Sequence, residues 1–275
     1  MNNLEEEKLS SSNRSLSDLH DDILQHILSF SKPREAARTC ILSKRWRYVN
    51  PIIDLLGFPF YWVRDIQEFS VYVDRAIFLR HFVKSFHYIC RPCYKYNTDI
   101  GPFIIRWIEG AVLRNVQNLS INIDISISRI KILNAQLLAL PCCLFSSISL
   151  VQLDLCMPSV LQRPPTVCFS SPKTLKLKYV KFSDEHSTNQ LFSSCPVLED
   201  LCLSQCWFLS NVRNVNIRAP KLLRLTIDED YYGGSDHGFQ FMVHGTNLKH
   251  YTCFGTCKNE HYLYNQSSLE EADIG

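Results

Sequence analysis

The 275-residue chain has no run of 18 or more apolar residues. Its most apolar stretch, around residues 139–151, is short and broken by Pro141 and by serines, so no membrane-spanning helix is expected. A secretion signal is lacking as well. Residues 1–14 are polar and carry Glu5, Glu6 and Glu7, with neither a basic start nor an apolar core. Neither charge sign dominates: 29 Lys and Arg face 27 Asp and Glu, for a net +2. That balance argues against broad electrostatic binding to nucleic acid or to an anionic membrane. The expectation is an intracellular protein of the nucleus, the cytoplasm or both.

Sites of chemistry are scarce too. The glycine-rich residues 233–238 have neither the lysine of a phosphate-binding loop nor the spacing of a dinucleotide fingerprint, and read as a tight turn. No Gly-x-Ser-x-Gly setting activates a nucleophile. Asp228, Glu229 and Asp230 are adjacent along the chain, do not converge on one point, and have no base placed beside them. Twelve cysteines are present. With no secretion signal and a chain of this length they read as reduced thiols packing as small hydrophobes. Cys90 and Cys93 have redox or zinc spacing, and Cys253 and Cys257 are flanked by His250 and His261, but neither pair completes a four-ligand pattern. No metal, cofactor or catalytic residue is therefore assigned.

What is present begins at residues 15–57, following a tail, residues 1–14, expected to be disordered. Leu19, Ile23, Leu24, Ile27 and Leu28 fall at helical spacing, with Asp21 and Asp22 in the first turn. Pro33 opens a second helix with Ala36, Ala37, Cys40 and Ile41 as its apolar side. Ser43 caps a third, carrying Trp46 and Val49 and stopped by Pro51. About forty residues cannot bury so many apolar side chains internally, so part of this surface is expected to meet a partner. Periodicity alone does not sort inward from outward residues, and Trp46 reads equally as a core residue or an interface anchor.

These residues closely resemble a plant-type F-box. Leu19, Asp21, Asp22, Ile23, Leu24, Ile27, Leu28, Ser29 and Phe30 match its first half. Ala36, Ala37, Thr39, Leu42, Ser43, Lys44, Arg45, Trp46 and Arg47 match its second. His20 stands where the family has proline, and Ser31-Lys32-Pro33 replaces Leu-Pro-Thr. The resemblance implies binding to a Skp-type adaptor, and through it a cullin, by Leu19, His20, Ile23, Leu24, Ile27, Leu28, Ile41, Leu42, Ser43 and Trp46.

Residues 58–82 read as a helical bridge, with a helix over 69–80. From residue 83 a loose Leu-x-x-Leu-x-Leu pattern recurs, centred on Phe86, Leu119, Leu153, Leu175, Leu201, Leu225 and Tyr251 at intervals of 22 to 34 residues. The longer first intervals leave room for a helix over 102–116. The period predicts an α/β solenoid over 83–275, with a curved parallel sheet whose leucines stack inward. Alternate strand residues then line the other face: Asn118, Ser120, Asp154, Lys176, Lys178, Asp200, Ser204, Arg224, Thr226 and Asp228. They are polar and mixed in charge, which suits a surface that recognises a protein or a ligand.

This half is similar to the plant F-box/leucine-rich-repeat group that often carries a C-terminal FBD segment. The similarity rests on residues 191–203, on Ala219-Pro220-Lys221-Leu222 and on Arg114-Asn115-Val116-x-x-Leu119. The chain stops at Gly275, before such a segment; the expectation is that either its last residues cover the open end of the solenoid or the chain is a truncated form of reduced stability. The resemblance implies a non-catalytic substrate-recognition subunit of a Skp–cullin–F-box ubiquitin ligase. The alternative is a repeat-based binding protein acting outside a ligase, its F-box altered at His20 and residues 31–33.

Overall fold

The computed structural model describes residues 16–30, 39, 44–49, 52–55, 66–78, 80, 82–90, 100–123, 137–161, 169–229, 238–255 and 259–275. They fall in two compact units, Met1–Pro51 and Ile52–Gly275.

The first unit contains a 3₁₀ turn, Leu16–Asp18, and helices α1 (Asp21–Ser29) and α2 (Lys44–Val49). The expected tail, the helix opened by Pro33 and the glycine-rich turn of the other unit lie outside the described residues, apart from Thr39 and Gly238. Leu24 and Leu28, four residues apart, meet Trp46 and Val49 in a small core, with Leu19 packed against it. Arg45 fastens α2 to the start of α1. Its Nε donates to Asp21 Oδ1 at 2.7 Å and its Nη2 to the Leu19 carbonyl at 2.5 Å.

The second unit is organised by an eleven-stranded sheet. Its main path joins β1 (Ile52–Leu55), β2 (Ser85–Cys90), β3 (Asn118–Ile123), β5 (Gln152–Leu161), β6 (Thr174–Phe182), β7 (Asp200–Ser204), β10 (Arg224–Asp228), β12 (His250–Phe254) and β14 (Glu271–Ile274), each pair parallel. β4 (Leu138–Ala139) and β8 (Trp207–Phe208) extend it beside β5 and β6. All seven repeat copies become strands in register. The inward row Phe86, Leu119, Leu153, Leu175, Leu201, Leu225 and Tyr251 is at most 2% exposed. Each such leucine removed from water stabilises the stack by roughly 1.5–3 kcal/mol.

The backbone repeats as well. At each step two successive N–H groups ahead of a strand donate to one carbonyl of the preceding repeat, as Leu223 and Arg224 do to Glu199, and Lys249 and His250 to Leu223. Two strands on the main path of this sheet carry no mark in the leucine pattern. β1 was assigned to the helical module, but Ile52–Leu55 pairs with Ser85–Tyr88 and opens the sheet. β14 adds a step after Tyr251, with Leu269 packed against the core.

On the other side the return segments change from helix to strand. α3 (Ile66–Phe78), expected over 69–80, packs on α4 (Gly101–Val112). α4 ends earlier than its apolar stripe predicted. Asn115 takes φ 56°, its N–H donates to the Val112 carbonyl, and the Val116 N–H donates to that of Ala111. This is a Schellman closure with asparagine in the left-handed position, and it explains the Arg114-Asn115-Val116 signature. Arg114 also reaches the Phe78 and Arg80 carbonyls at the end of α3.

Further along lies α5 (Glu185–Ser193), capped by Asp184, whose Oδ1 accepts from the Ser187 N–H at 2.8 Å. A second parallel sheet then takes over, ordered β9 (Asn214–Arg218), β11 (Gln240–His244), β13 (Glu260–Tyr264). α5 makes this change possible. Glu185 Oε2 accepts the N–H groups of Arg213 and Asn214 at 2.8 and 3.1 Å, and Asn189 Oδ1 that of Asn216 at 2.7 Å. Side chains of the last helix thus satisfy the backbone edge of the first strand.

Candidate interaction surfaces

On α1 the structure divides the apolar stripe in two. Leu24 and Leu28 are 0% and 1% exposed, and Trp46 is 4% exposed. Expected on the adaptor-binding face, these three are core residues: they hold α1 against α2 and offer almost no surface. Ile23 and Ile27 sit one position earlier on the helix, at 48% and 40% exposure, with Leu16 and Phe30 more exposed still. Leu19 is half-buried and packs against the core. Ile41, Leu42 and Ser43 lie outside the described residues. An exposed aliphatic row beside a four-residue core is more apolar surface than a solvated helix needs.

His20 is exposed and precedes α1, its carbonyl accepting from the Ile23 and Leu24 N–H groups. Its backbone, φ −62° and ψ 150°, matches the angle that proline fixes. The departure from the family's proline therefore leaves the helix start in place. His20→Pro is expected to stabilise α1 by about 0.4–1 kcal/mol through the unfolded state. Hydrogen exchange of the α1 amides would slow about 2- to 5-fold; faster exchange would show that the site rejects the ring.

The ten residues expected on the target-binding face all lie on the outward face of the large sheet, and the register sorts them into three rows. The first runs Asn118, Gln152, Thr174, Asp200, Arg224, His250, Glu271. The second runs Ser120, Asp154, Lys176, Cys202, Thr226, Thr252, Asp273. The third runs Asn122, Cys156, Lys178, Ser204, Asp228, Phe254. Neighbouring rungs interlock. Arg224 Nη2 meets Asp200 Oδ2 at 3.1 Å, Ser204 donates to Asp228 at 2.6 Å, and Asn118 donates to Ser85 at 3.0 Å. Exposed pairs of this kind add little stability, and their value is a fixed pattern of donors and charges. Glu271, Asp273 and His87 also belong to this face; β14 carries no leucine to mark its register, while His87 lies within the copy centred on Phe86 and was not among the expected residues.

Asp154 stands out on this face. Burial raises its carboxyl above the usual carboxylate range, and Lys176, His87 and a hydrogen bond from Ser120 offset only part of that. The protonated form is favoured by folding, so its stabilisation is complete below the unfolded value of about 3.9 and is lost as pH rises through the raised value. Asp154→Asn is therefore expected to raise the denaturation midpoint at pH 7, with the gain vanishing in acid. A lower midpoint at pH 7 would contradict this.

Neither cysteine pair with redox or zinc spacing is described in full, Cys93 and Cys257 lying outside the described residues. Cys195 and Cys206 are pushed up to about 12 by burial, which fits inert packing thiols. Among the described residues no helix is long and apolar enough to cross a membrane. Glu229 is expected from the sequence to have no base beside it. It is instead buried, and His261 Nε2 lies 2.9 Å from its Oε1. The partners are 32 residues apart, and sequence spacing carries no signal for them.

Comparison with known proteins follows the same division. Residues 16–49 match the F-box domain model, and residues 104–258 match the model described as FBD-associated F-box protein At5g56370, LRR repeats. Relatives from Arabidopsis thaliana include the F-box/FBD/LRR-repeat protein At5g56420, 30% identical over 94% of this chain and 59% of its own length. F-box/FBD/LRR-repeat protein At4g26340 is 31% identical over 86% and 53%, and At3g26920 is 29% identical over 82% and 49%. The chain thus spans about half the length of the curated relatives it matches. No solved structure gives a significant match.

Proposed function

Since this chain belongs to the FBD-associated F-box family with leucine-rich repeats, we propose that it is a substrate-recognition subunit of a Skp–cullin–F-box ubiquitin ligase, acting in the nucleus or cytoplasm. The observation that carries the reading is the split of the α1 stripe. Leu24 and Leu28 close the module's own core while Ile23 and Ile27 stay in water. A Skp-type adaptor with an apolar groove would cover that row, an amphipathic helix laid into a partner. The three polar rows of the large sheet would hold the protein target.

The chain itself makes and breaks no bonds in this scheme. Holding a target near a charged ubiquitin-conjugating enzyme converts an encounter between two molecules into a local one, and the resulting effective concentration accelerates transfer to target lysines. The proline-like backbone at His20 supports a working module over one that has lost docking. Mixing the full chain with a purified Skp-type adaptor and cullin tests the reading. A complex with one copy of each that elutes together on size exclusion is expected. Separate elution at micromolar concentrations would favour a repeat protein acting outside any ligase.

A further inference from the structure

We propose that Glu229, Cys253 and His261 form a binding site for a zinc-class divalent cation between the two sheets of the repeat unit. The three residues come from separate elements. Glu229 directly follows β10, Cys253 lies in β12 and His261 in β13. An ion held by all three would tie the large sheet to the small one.

The geometry suits a tetrahedral ion. One ligand atom of each residue lies within 4.8 Å of the other two. Cys253 Sγ is 3.9 Å from His261 Nε2, and that nitrogen is 2.9 Å from Glu229 Oε1. A tetrahedral zinc with ligand bonds of about 2.0 to 2.3 Å holds its ligand atoms roughly 3.3 to 3.6 Å apart, so the nitrogen–oxygen gap must widen and the sulfur must close on the other two. The group is enclosed: the Glu229 side chain is 7% exposed, that of His261 13%, and Cys253 is 2% exposed.

A second feature points the same way. Glu229 Oε2 is buried and accepts no hydrogen bond of normal geometry; Asn259 faces the same carboxylate and His261 meets its Oε1, leaving Oε2 able to take a cation. His261 is also prepared for ligation. Its Nδ1 lies 2.6 Å from the Tyr251 hydroxyl. With that nitrogen protonated and donating to Tyr251, the lone pair of Nε2 is directed at the cation, the outer-layer support that ligating histidines commonly have. Without an ion the opposite tautomer serves, with Nε2–H donating to Glu229 and Nδ1 accepting from Tyr251. One thiolate, one imidazole and one carboxylate select zinc over magnesium or calcium, which prefer all-oxygen shells. Three protein ligands leave a fourth position for water.

The test uses the full chain, purified with chelator and then titrated with zinc and separately with cobalt. We expect one tight equivalent of zinc, a raised melting temperature, and with cobalt a thiolate-to-metal charge-transfer band. Cys253→Ser should abolish the band, and His261→Gln should weaken zinc binding at least about tenfold, as loss of one of three ligands requires. Glu229→Gln, which keeps a hydrogen-bonding group toward His261, guards against a variant that merely misfolds; it should stay folded and lose most of the zinc-dependent rise in melting temperature. The proposal is overturned by no zinc uptake, by uptake that Cys253→Ser leaves unchanged, or by a zinc-dependent rise that survives all three substitutions.

Discussion

Replacing Ile23 and Ile27 together with aspartate is expected to abolish capture of a Skp-type adaptor while leaving the chain folded. Both side chains lie in water, at 48% and 40% exposure, and neither belongs to the core of Leu24, Leu28, Trp46 and Val49. Surface substitutions away from packed features usually shift stability by no more than about 0.5 kcal/mol. In the proposed complex both would be buried, each worth roughly 1.5–3 kcal/mol as isoleucine and a desolvation cost as aspartate. The combined loss is at least about 100-fold in affinity. Leu24→Ala provides the contrast. It removes a fully buried side chain at a cost of about 2–5 kcal/mol, a large fraction of what so small a core supplies. Capture would then fail together with the helical signal of α1. Loss of capture with α1 intact in the double variant, and loss of both in Leu24→Ala, separates contact from scaffolding.

The second large effect is expected in the middle of the leucine stack. Leu201 is 0% exposed and lies in register between Leu175 and Leu225. Leu201→Ala leaves a cavity on which two neighbouring repeats close. The cost is about 2–5 kcal/mol, and in an array where each repeat leans on the next it destabilises both interfaces at once. For a unit of this size the melting temperature should fall by about 5–15 °C. Lys176→Ala, one strand away on the outward face, should change it by little, since that side chain projects from the sheet into solvent. A cost below about 1 kcal/mol at Leu201 would mean that the stack does not bear on stability as its burial implies.

The leucine pattern revealed seven strands because each buries two side chains in a fixed Leu-x-Leu alternation and is preceded by a third apolar residue that turns the chain into the core, as Leu198, Leu222 and Leu248 do. β1 carries Ile52 and Ile53 without that preceding residue and follows a proline, so it resembled the end of a helix. β14 has Ala272 and Ile274 where leucines would mark the register, and it is exposed along its length. α5 had a legible start, Asp184 ahead of Glu185, but its helical face is mostly polar. β9 and β13 carry Val215 with Ile217 and His261 with Leu263 in place of a leucine pair, so the repeat pattern does not mark them. On α1 the period gave the stripe but not its division, which depends on where Trp46 and Val49 arrive from the other helix. The outward face followed directly from the strands, because side chains alternate with period two once the register is known. Contacts such as Glu229 with His261 depend on how the two sheets meet and have no local trace.

The central claim is that one end of the chain engages an adaptor and the sheet face engages a different molecule. Calorimetric titration of the full chain with a purified Skp-type adaptor tests it most directly, comparing the natural chain with a Lys176→Glu, Arg224→Glu variant of the outward face. The account predicts one adaptor per chain, a negative heat-capacity change from apolar burial, and the same affinity for both proteins. Absence of binding, or binding that the two sheet substitutions abolish, would contradict it.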